Sequence, residues 1–347
     1  MSSSNTRVSV NYLSNTEKLS FIIDRLPDFC YTFLLNSSLE LSVTTRLAYA
    51  RDLEHFFRYL LSVHYFDCDS IKDIHLSDLR KIDSICISSY LTCYFNTGCQ
   101  KKTVARKKST LASFFHYMLV NKRIESNPMD AVVKVSIPKN DDLIYLTVEE
   151  QNILLSAIST GDSLTKSQKP YHARYVLRDL SIFLLFLDTG MRVSELNGIN
   201  IKDVGMDDCS VVVLRKGAKL QTLYFSDDTR DTIKKYLSSR KNKGNISPSD
   251  PLFVTEKGNR LSVRAIQVLV TKYVSAALPQ KRHISPHKMR SSFAMTYYEE
   301  TKDILALQRK LAHSSIQTTT IYAKASDKKM QETRDVTNVA RNRIKYD

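Results

Sequence analysis

Glycine is scarce in this chain, with 8 residues in 347, and none of them forms a G-x-G-x-x-G or G-x-x-x-x-G-K-[ST] run. Without a glycine loop to bring backbone amides against a phosphate chain, a nucleotide-binding fold has little support. Long apolar runs are missing too. None approaches the roughly 20 residues a membrane span requires, and the start, MSSSNTRVSVNYLSNTEKLS, lacks a secretory hydrophobic core. A soluble, cytoplasmic protein with no membrane partner is expected. The six cysteines, Cys30, Cys68, Cys86, Cys93, Cys99 and Cys209, show no C-x-x-C pair, which suits reduced thiols in a cytosol. His283 and His287 have a zinc-like separation, but Pro286 between them argues against one continuous helix presenting both as ligands. Neither a metal nor a cofactor is expected.

What the chain has is positive charge. Lysine and arginine number 51 against 36 aspartates and glutamates, a formal charge of +15. Cations that neutralise phosphates release condensed counterions, so nucleic acid is the leading partner and an anionic membrane the bland rival. At 347 residues two domains are the default.

Residues 1–16 are Ser- and Asn-rich and read as a flexible start. From Glu17 to about Asn36 an apolar pattern suits a helix. In TTRLAYARDLEHFFRYLLSVHY, Leu47, Ala50, Leu53, Phe57 and Leu60 recur at helical spacing, with Arg46, Arg51 and Arg58 mostly off that face. KKTVARKKSTLASFFHYMLV joins a cationic entrance (Lys101, Lys102, Arg106, Lys107, Lys108) to a stripe of Val104, Leu111, Phe114, Phe115 and Met118. Charge runs of this kind usually mark a solvated helix face, yet at a helix entrance they are also placed to hold phosphates. Arg264, at the start of a later helical pattern from Ser262 to Ala277, is a further phosphate-contact candidate. IPKNDDLIYLT reads as a linker, placing a boundary near Asn140 between domains 17–139 and 140–347, and Thr147 with Glu150 forms a capping-box signature just beyond it. STGDSLTKSQKPYH, residues 159–172, reads as a loop. CSVVVLRKGAKLQTLYF is a strand pair around a Lys-Gly-Ala-Lys turn.

Three motifs then stand in order: TGMRVSEL with Arg192 and Glu195 one turn apart, HKMRSSFA with His287 and Arg290, and KLAHSSIQTTTIY with His313 and Tyr322. Together they resemble the tyrosine recombinase/integrase family, with simple Xer-like recombinases nearest in appearance. The likeness runs from about Ser42 to Ala325. It implies a mainly α fold with a small antiparallel β-sheet in the catalytic domain, preceded by a helical core-type DNA-binding domain, the two closing as a clamp on double-stranded DNA. The cationic helix from Lys101 looks like the second half of that first domain.

In-line attack on a phosphodiester builds charge on two non-bridging oxygens, which a planar guanidinium fork suits. The resemblance assigns that clamp to Arg192 and Arg290, a further hydrogen bond to His313, and the nucleophile to Tyr322, whose attack leaves a 3′-phosphotyrosine. His287 is the expected proton acceptor or positioning group, Glu195 a support for the arginine, and Lys216 the acid for the leaving 5′ oxygen, with Lys219 as rival. The function implied is site-specific recombination, for chromosome dimer resolution or mobile-element integration. A type IB topoisomerase-like enzyme and a non-catalytic DNA-binding protein are the alternatives. Exchange between two duplexes implies a homo-tetramer, with the tail from about residue 326 as a possible connector. Two departures stand out: Ala312 occupies the family's usual glycine position, where a positive φ would strain it, and Ser291 replaces a second histidine.

Overall fold

The structure is a computed structural model that describes residues 5–133, 143–215, 218–241, 245–312 and 315–327. The chain divides into two compact units, Met1–Lys139 and Asn140–Asp347. Among the described residues no helix is long and apolar enough to cross a membrane.

The first unit is helical: α1 (Asn5–Ile23), α2 (Asp28–Asn36), α3 (Val43–Ser62), the single turn α4 (Leu76–Leu79), α5 (Ser84–Asn96) and α6 (Lys101–Val120). Two features differ from the sequence expectation. The start is helical from Asn5 rather than irregular, and Leu19 and Ile22 of α1 are buried as this helix packs on α3; apolar docking outweighs the modest helix propensity of Ser and Asn. The single helix read over Glu17–Asn36 is two, because Pro27, with ψ 145°, ends one run and caps the next. The five apolar positions read on α3 and the five on α6 are all buried, and Arg51 and Arg58 lie on the exposed side of α3. A core of phenylalanines joins the helices: Phe114 meets Phe33 edge-on at 5.4 Å and Phe57 at 6.3 Å.

The second unit opens with α7 (Val148–Thr160), closed by the expected box: Thr147 N–H donates to Glu150 Oε2 at 3.0 Å and Glu150 N–H to Thr147 Oγ1 at 3.3 Å. Then follow α8 (Lys169–Thr189), α9 (Val193–Gly198), strands β1 (Val204–Gly205), β2 (Ser210–Leu214) and β3 (Leu220–Tyr224), α10 (Asp227–Lys241), α11 (Val263–Ala277), α12 (Pro286–Thr301) and α13 (Ile304–Leu311). The sheet is antiparallel in the order β1-β2-β3, with Val211 opposite Leu223 and Val213 opposite Gln221. The loop read at 159–172 is shorter, since α8 already starts at Lys169. Pro170 is tolerated in its first turn, where its missing N–H costs nothing. His172 is therefore helical and buried, with Nε2 2.7 Å from the Ile158 carbonyl at the end of α7.

Helix α8 packs against α7, α10 and α12. Its buried residues, among them Ile182, Phe183, Leu185 and Phe186, fill most of its circumference, as a central helix requires. It stops at Gly190, φ 60°, a left-handed cap. A Cβ at Gly190 would collide with the Phe293 ring of α12, so this glycine answers both a backbone and a packing demand. Gly190→Ala is expected to destabilise the second unit by at least about 2 kcal/mol, read as a lower midpoint in urea-induced loss of helical circular dichroism.

Candidate active site

The site grows from the end of α8. The chain turns at Gly190 and Met191, and Arg192 then stands at the N-cap of α9 with extended backbone. Glu195, three residues on, folds back in the manner of a capping box. Its Oε2 accepts the Arg192 amide at 2.8 Å and its Oε1 the Arg192 Nη1 at 2.9 Å. The carboxylate is buried while the Arg192 side chain remains 41 % exposed, so Glu195 holds a guanidinium that still faces outward. The i,i+3 contact expected between them is present.

Arg290 sits on α12 with its guanidinium buried. Nη1 donates to the Gly190 carbonyl at 2.7 Å, and Nη2 to the Leu311 carbonyl in a short hydrogen bond. Both acceptors are helix C-termini: Gly190 caps α8, and Leu311 is the last residue of α13. The negative ends of two helix dipoles thus replace solvent around this cation. Burial, chiefly, pushes its pKa down to about 10, with the charge of Arg192 acting in the same direction and Glu195 against it.

Tyr322 lies in the helical stretch 320–327, and its ring is buried with Phe293, Leu307 and Leu311. Burial raises the phenol pKa; a hydrogen bond with the Ser291 side chain and the Arg290 charge pull it back. The phenol is therefore neutral at physiological pH, next to the two groups that favour its ionised form. Ser291, which stands where a polar contact seemed lost, supplies one itself. His287 is exposed in the first turn of α12, one turn before Arg290 and Ser291, and its carbonyl accepts the Ser291 hydroxyl at 3.4 Å. Tyr297 and Tyr298, on the same helix, are packed at the edge of the Tyr322 cluster. Lys216 and His313 lie outside the described residues; Lys219, the rival to Lys216, is exposed.

One buried charge in this neighbourhood was not anticipated. Arg215, directly before the turn, donates from Nη1 to Glu195 Oε1 at 3.2 Å. Strand parity carries the signal for it: 211, 213 and 215 share a face, Val211 and Val213 are buried, and an inward arginine there must find acceptors.

The cations of the first unit divide. Lys101 and Lys102 are exposed at the entrance of α6, as is Arg264 at the start of α11 in the second unit, while the Arg106 side chain, half exposed, pairs with the buried Asp52. Lys107 does not belong with them. It is buried, with Nζ 3.4 Å from Asp52 Oδ1 and 4.4 Å above the Tyr94 ring, so its charge is spent inside the unit. The helical period places it on the stripe beside Val104 and Leu111. Lys108 donates to the Val132 and Val133 carbonyls, each at 2.9 Å, and so ties down the chain beyond α6.

Two family models match the chain: "Phage integrase family" over residues 146–329, and "Phage integrase, N-terminal SAM-like domain" over 31–122. The chain belongs to the phage integrase family. It is 32 % identical over 301 residues to tyrosine recombinase XerC of Caldanaerobacter subterraneus subsp. tengcongensis, covering 84 % of this chain and 80 % of that one. To tyrosine recombinase XerC of Syntrophus aciditrophicus it is 30 % identical over 293 residues, with coverage of 82 % and 88 %. Its fold is that of the XerH site-specific recombinase bound to difH substrate (TM-score 0.59, 22 % identity, 81 % of this chain and 77 % of that one). The Tn1549 transposon integrase in complex with circular intermediate DNA is also similar (TM-score 0.63, 18 % identity, coverage of 88 % and 99 %). The enzyme is a site-specific tyrosine recombinase of Xer-like type, mainly helical with a small antiparallel sheet. The topoisomerase-like and non-catalytic alternatives gain no support from these relatives.

Ala312 ends α13 with φ 46° and ψ 50°, the left-handed conformation that makes an alanine strained. That turn follows directly on the Leu311 carbonyl that accepts from Arg290. Ala312→Gly is expected to raise stability by about 1 kcal/mol, seen as a higher urea midpoint. A midpoint at or below wild type would show that the turn carries no strain.

Proposed function

We propose that the recombinase cuts and rejoins double-stranded DNA with Tyr322 as nucleophile and Arg192 and Arg290 as the phosphate clamp. The observation that carries this reading is the arrangement around Tyr322. A neutral phenol lies beside a buried guanidinium that is held by backbone carbonyls, and a second guanidinium is aimed outward by Glu195. Cations placed where charge develops stabilise the transition state more than the ground state.

The Tyr322 oxygen attacks phosphorus, the bond from phosphorus to the 5′ oxygen breaks, and a 3′-phosphotyrosine and a free 5′-hydroxyl result. The phenolic proton passes to His287 or to solvent that His287 orients, and Lys216 gives the leaving oxygen its proton. His313 adds a hydrogen bond to a non-bridging oxygen. One ester replaces another, so religation needs no energy source.

The DNA in the XerH and Tn1549 complexes supports duplex DNA as the partner here, and the net charge of +15 suits it. Exchange between two duplexes needs four cleavages and hence four protomers, which a closing heterologous contact links into a ring. The tail from residue 326, taken as that connector, lies outside the described residues beyond 327. The cytoplasm is the compartment this reading requires. Chromosome dimer resolution and mobile-element integration both fit it.

Tyr322→Phe should bind its DNA site with wild-type affinity and form no covalent adduct on a nicked suicide substrate, because only the attacking oxygen is gone. An undiminished adduct on a denaturing gel transfers the role to another residue. Wild-type adduct formation should persist in EDTA, since the arginines supply the charge. Complete inhibition reversed by added metal would sink that mechanism.

Neutralising Lys101 and Lys102 together should weaken binding to DNA of any sequence and flatten the plot of log affinity against log salt by about 2, close to one per phosphate contact. Lys107 and Arg106 are left out of this set because both pair with the buried Asp52. An unchanged slope in fluorescence anisotropy titrations assigns these cations to a solvated face.

A further inference from the structure

Arg215 is bound to more of the site than any reading of the family motifs requires. Its amide donates to the Lys219 carbonyl at 2.8 Å, joining the chain on either side of Lys216. Its guanidinium reaches two other elements: Nη1 to Glu195 Oε1 at 3.2 Å and to the Leu311 carbonyl at 3.4 Å, and Nη2 to the Lys310 carbonyl at 3.0 Å. The side chain is 4 % exposed, as is that of Glu195. Nε has no partner, and burial with the Arg192 charge pushes the pKa of the group down.

This is an expensive way to fill space. A buried guanidinium beside two others stabilises less than an apolar side chain of the same volume. It does, however, span three elements with one rigid fork. Glu195 is already engaged by Arg192, so neutralising that carboxylate does not require a second arginine. The span itself is the distinguishing feature. Arg215 is the covalent neighbour of Lys216, and Leu311 is two residues before His313.

We infer that Arg215 is a positioning residue that fixes the turn bearing Lys216 to Glu195 of α9 and to the end of α13, so that strand cleavage depends on it and DNA binding does not. The inference rests on the proposed role of Lys216 as the acid for the leaving 5′ oxygen. Lysine at this position retains the charge but, as a point donor, cannot hold three elements at once.

The test uses the full chain with Arg215→Gln and Arg215→Lys, on nicked suicide substrates carrying either the normal 5′ oxygen or a 5′-bridging sulfur, which leaves without an acid. On the oxygen substrate at saturating DNA, Arg215→Gln should form adduct about 10- to 100-fold more slowly, the range expected when a reacting group is misplaced by about an ångström. The dissociation constant and thermal midpoint should stay near wild type. Arg215→Lys should recover part of the rate. On the sulfur substrate the defect of both variants should shrink to within about threefold, as should that of Lys216→Ala run alongside. Equal defects on the two substrates, no defect, or slowing explained by weaker binding or a lower thermal midpoint would each overturn the inference. Failure of the underlying reading looks different: an adduct persists in Tyr322→Phe, whatever Arg215 does.

Discussion

Arg290 is held by carbonyl oxygens rather than by a carboxylate, and the rest of the catalytic unit is arranged to make that possible. A buried cation paired with an acid is electrically cancelled and has little left to offer a phosphate. A cation held by the ends of two helices is solvated without being neutralised. The cost is visible in its pKa, pushed down to about 10, which corresponds to roughly 3 kcal/mol against the charged form in the folded protein. That penalty is fully present at neutral pH and is relieved only as pH rises through about 10, the opposite of the behaviour of a salt-bridged group. In the proposed phosphate clamp, an anion between Arg192 and Arg290 would supply the missing counter-charge.

Two backbone turns follow from this demand. A helix ending in a left-handed residue directs its last carbonyls outward along the axis. Both helices that face Arg290 end this way, α8 at Gly190 and α13 at Ala312. The first uses the residue suited to the conformation and the second does not. Glu195 completes the set by a different route. Its capping box would be an ordinary start for a short helix, except that the capped residue is Arg192, so one carboxylate both begins α9 and aims the guanidinium.

The amphipathic helices and the hairpin were legible because period and burial coincide: every apolar position read on α3 and α6 is in the core. The Arg192, Glu195, Arg290 and Tyr322 positions were legible as motifs, and the structure brings them to one place. Other features were hidden for identifiable reasons. Lys107 lies in a run of cations that reads as one surface, yet a helix distributes consecutive residues around its circumference, and this one turns inward to Asp52, a residue more than fifty positions away. The register of α8 against its loop depended on whether Pro170 begins a helix or breaks one, and proline does both. Arg215 was masked by its neighbour: a Lys-Gly turn draws attention to the lysine, while strand parity, the rule that buries Arg215, belongs to a different scale of reading.

The Asp52 cluster of the first unit and the Arg290 site of the second bury cations in opposite ways, and the contrast explains what each cation can do. In the first unit Asp52, buried on α3, accepts from Arg106, Lys107 and Thr110 of α6. There the negative charge is inside and its partners are drawn down to it, which fixes α6 against α3 and leaves only the outer part of Arg106 exposed. Such a pair orders a helix, because removing either partner strands a charge in the core. At the Arg290 site of the second unit one buried acid, Glu195, is outnumbered by Arg192, Arg215 and Arg290, and the balance is made up by main-chain oxygens that carry no net charge. The first arrangement consumes its electrostatics in folding. The second leaves positive charge in excess where Arg192, Arg215 and Arg290 meet, the excess on which the proposed phosphate clamp draws.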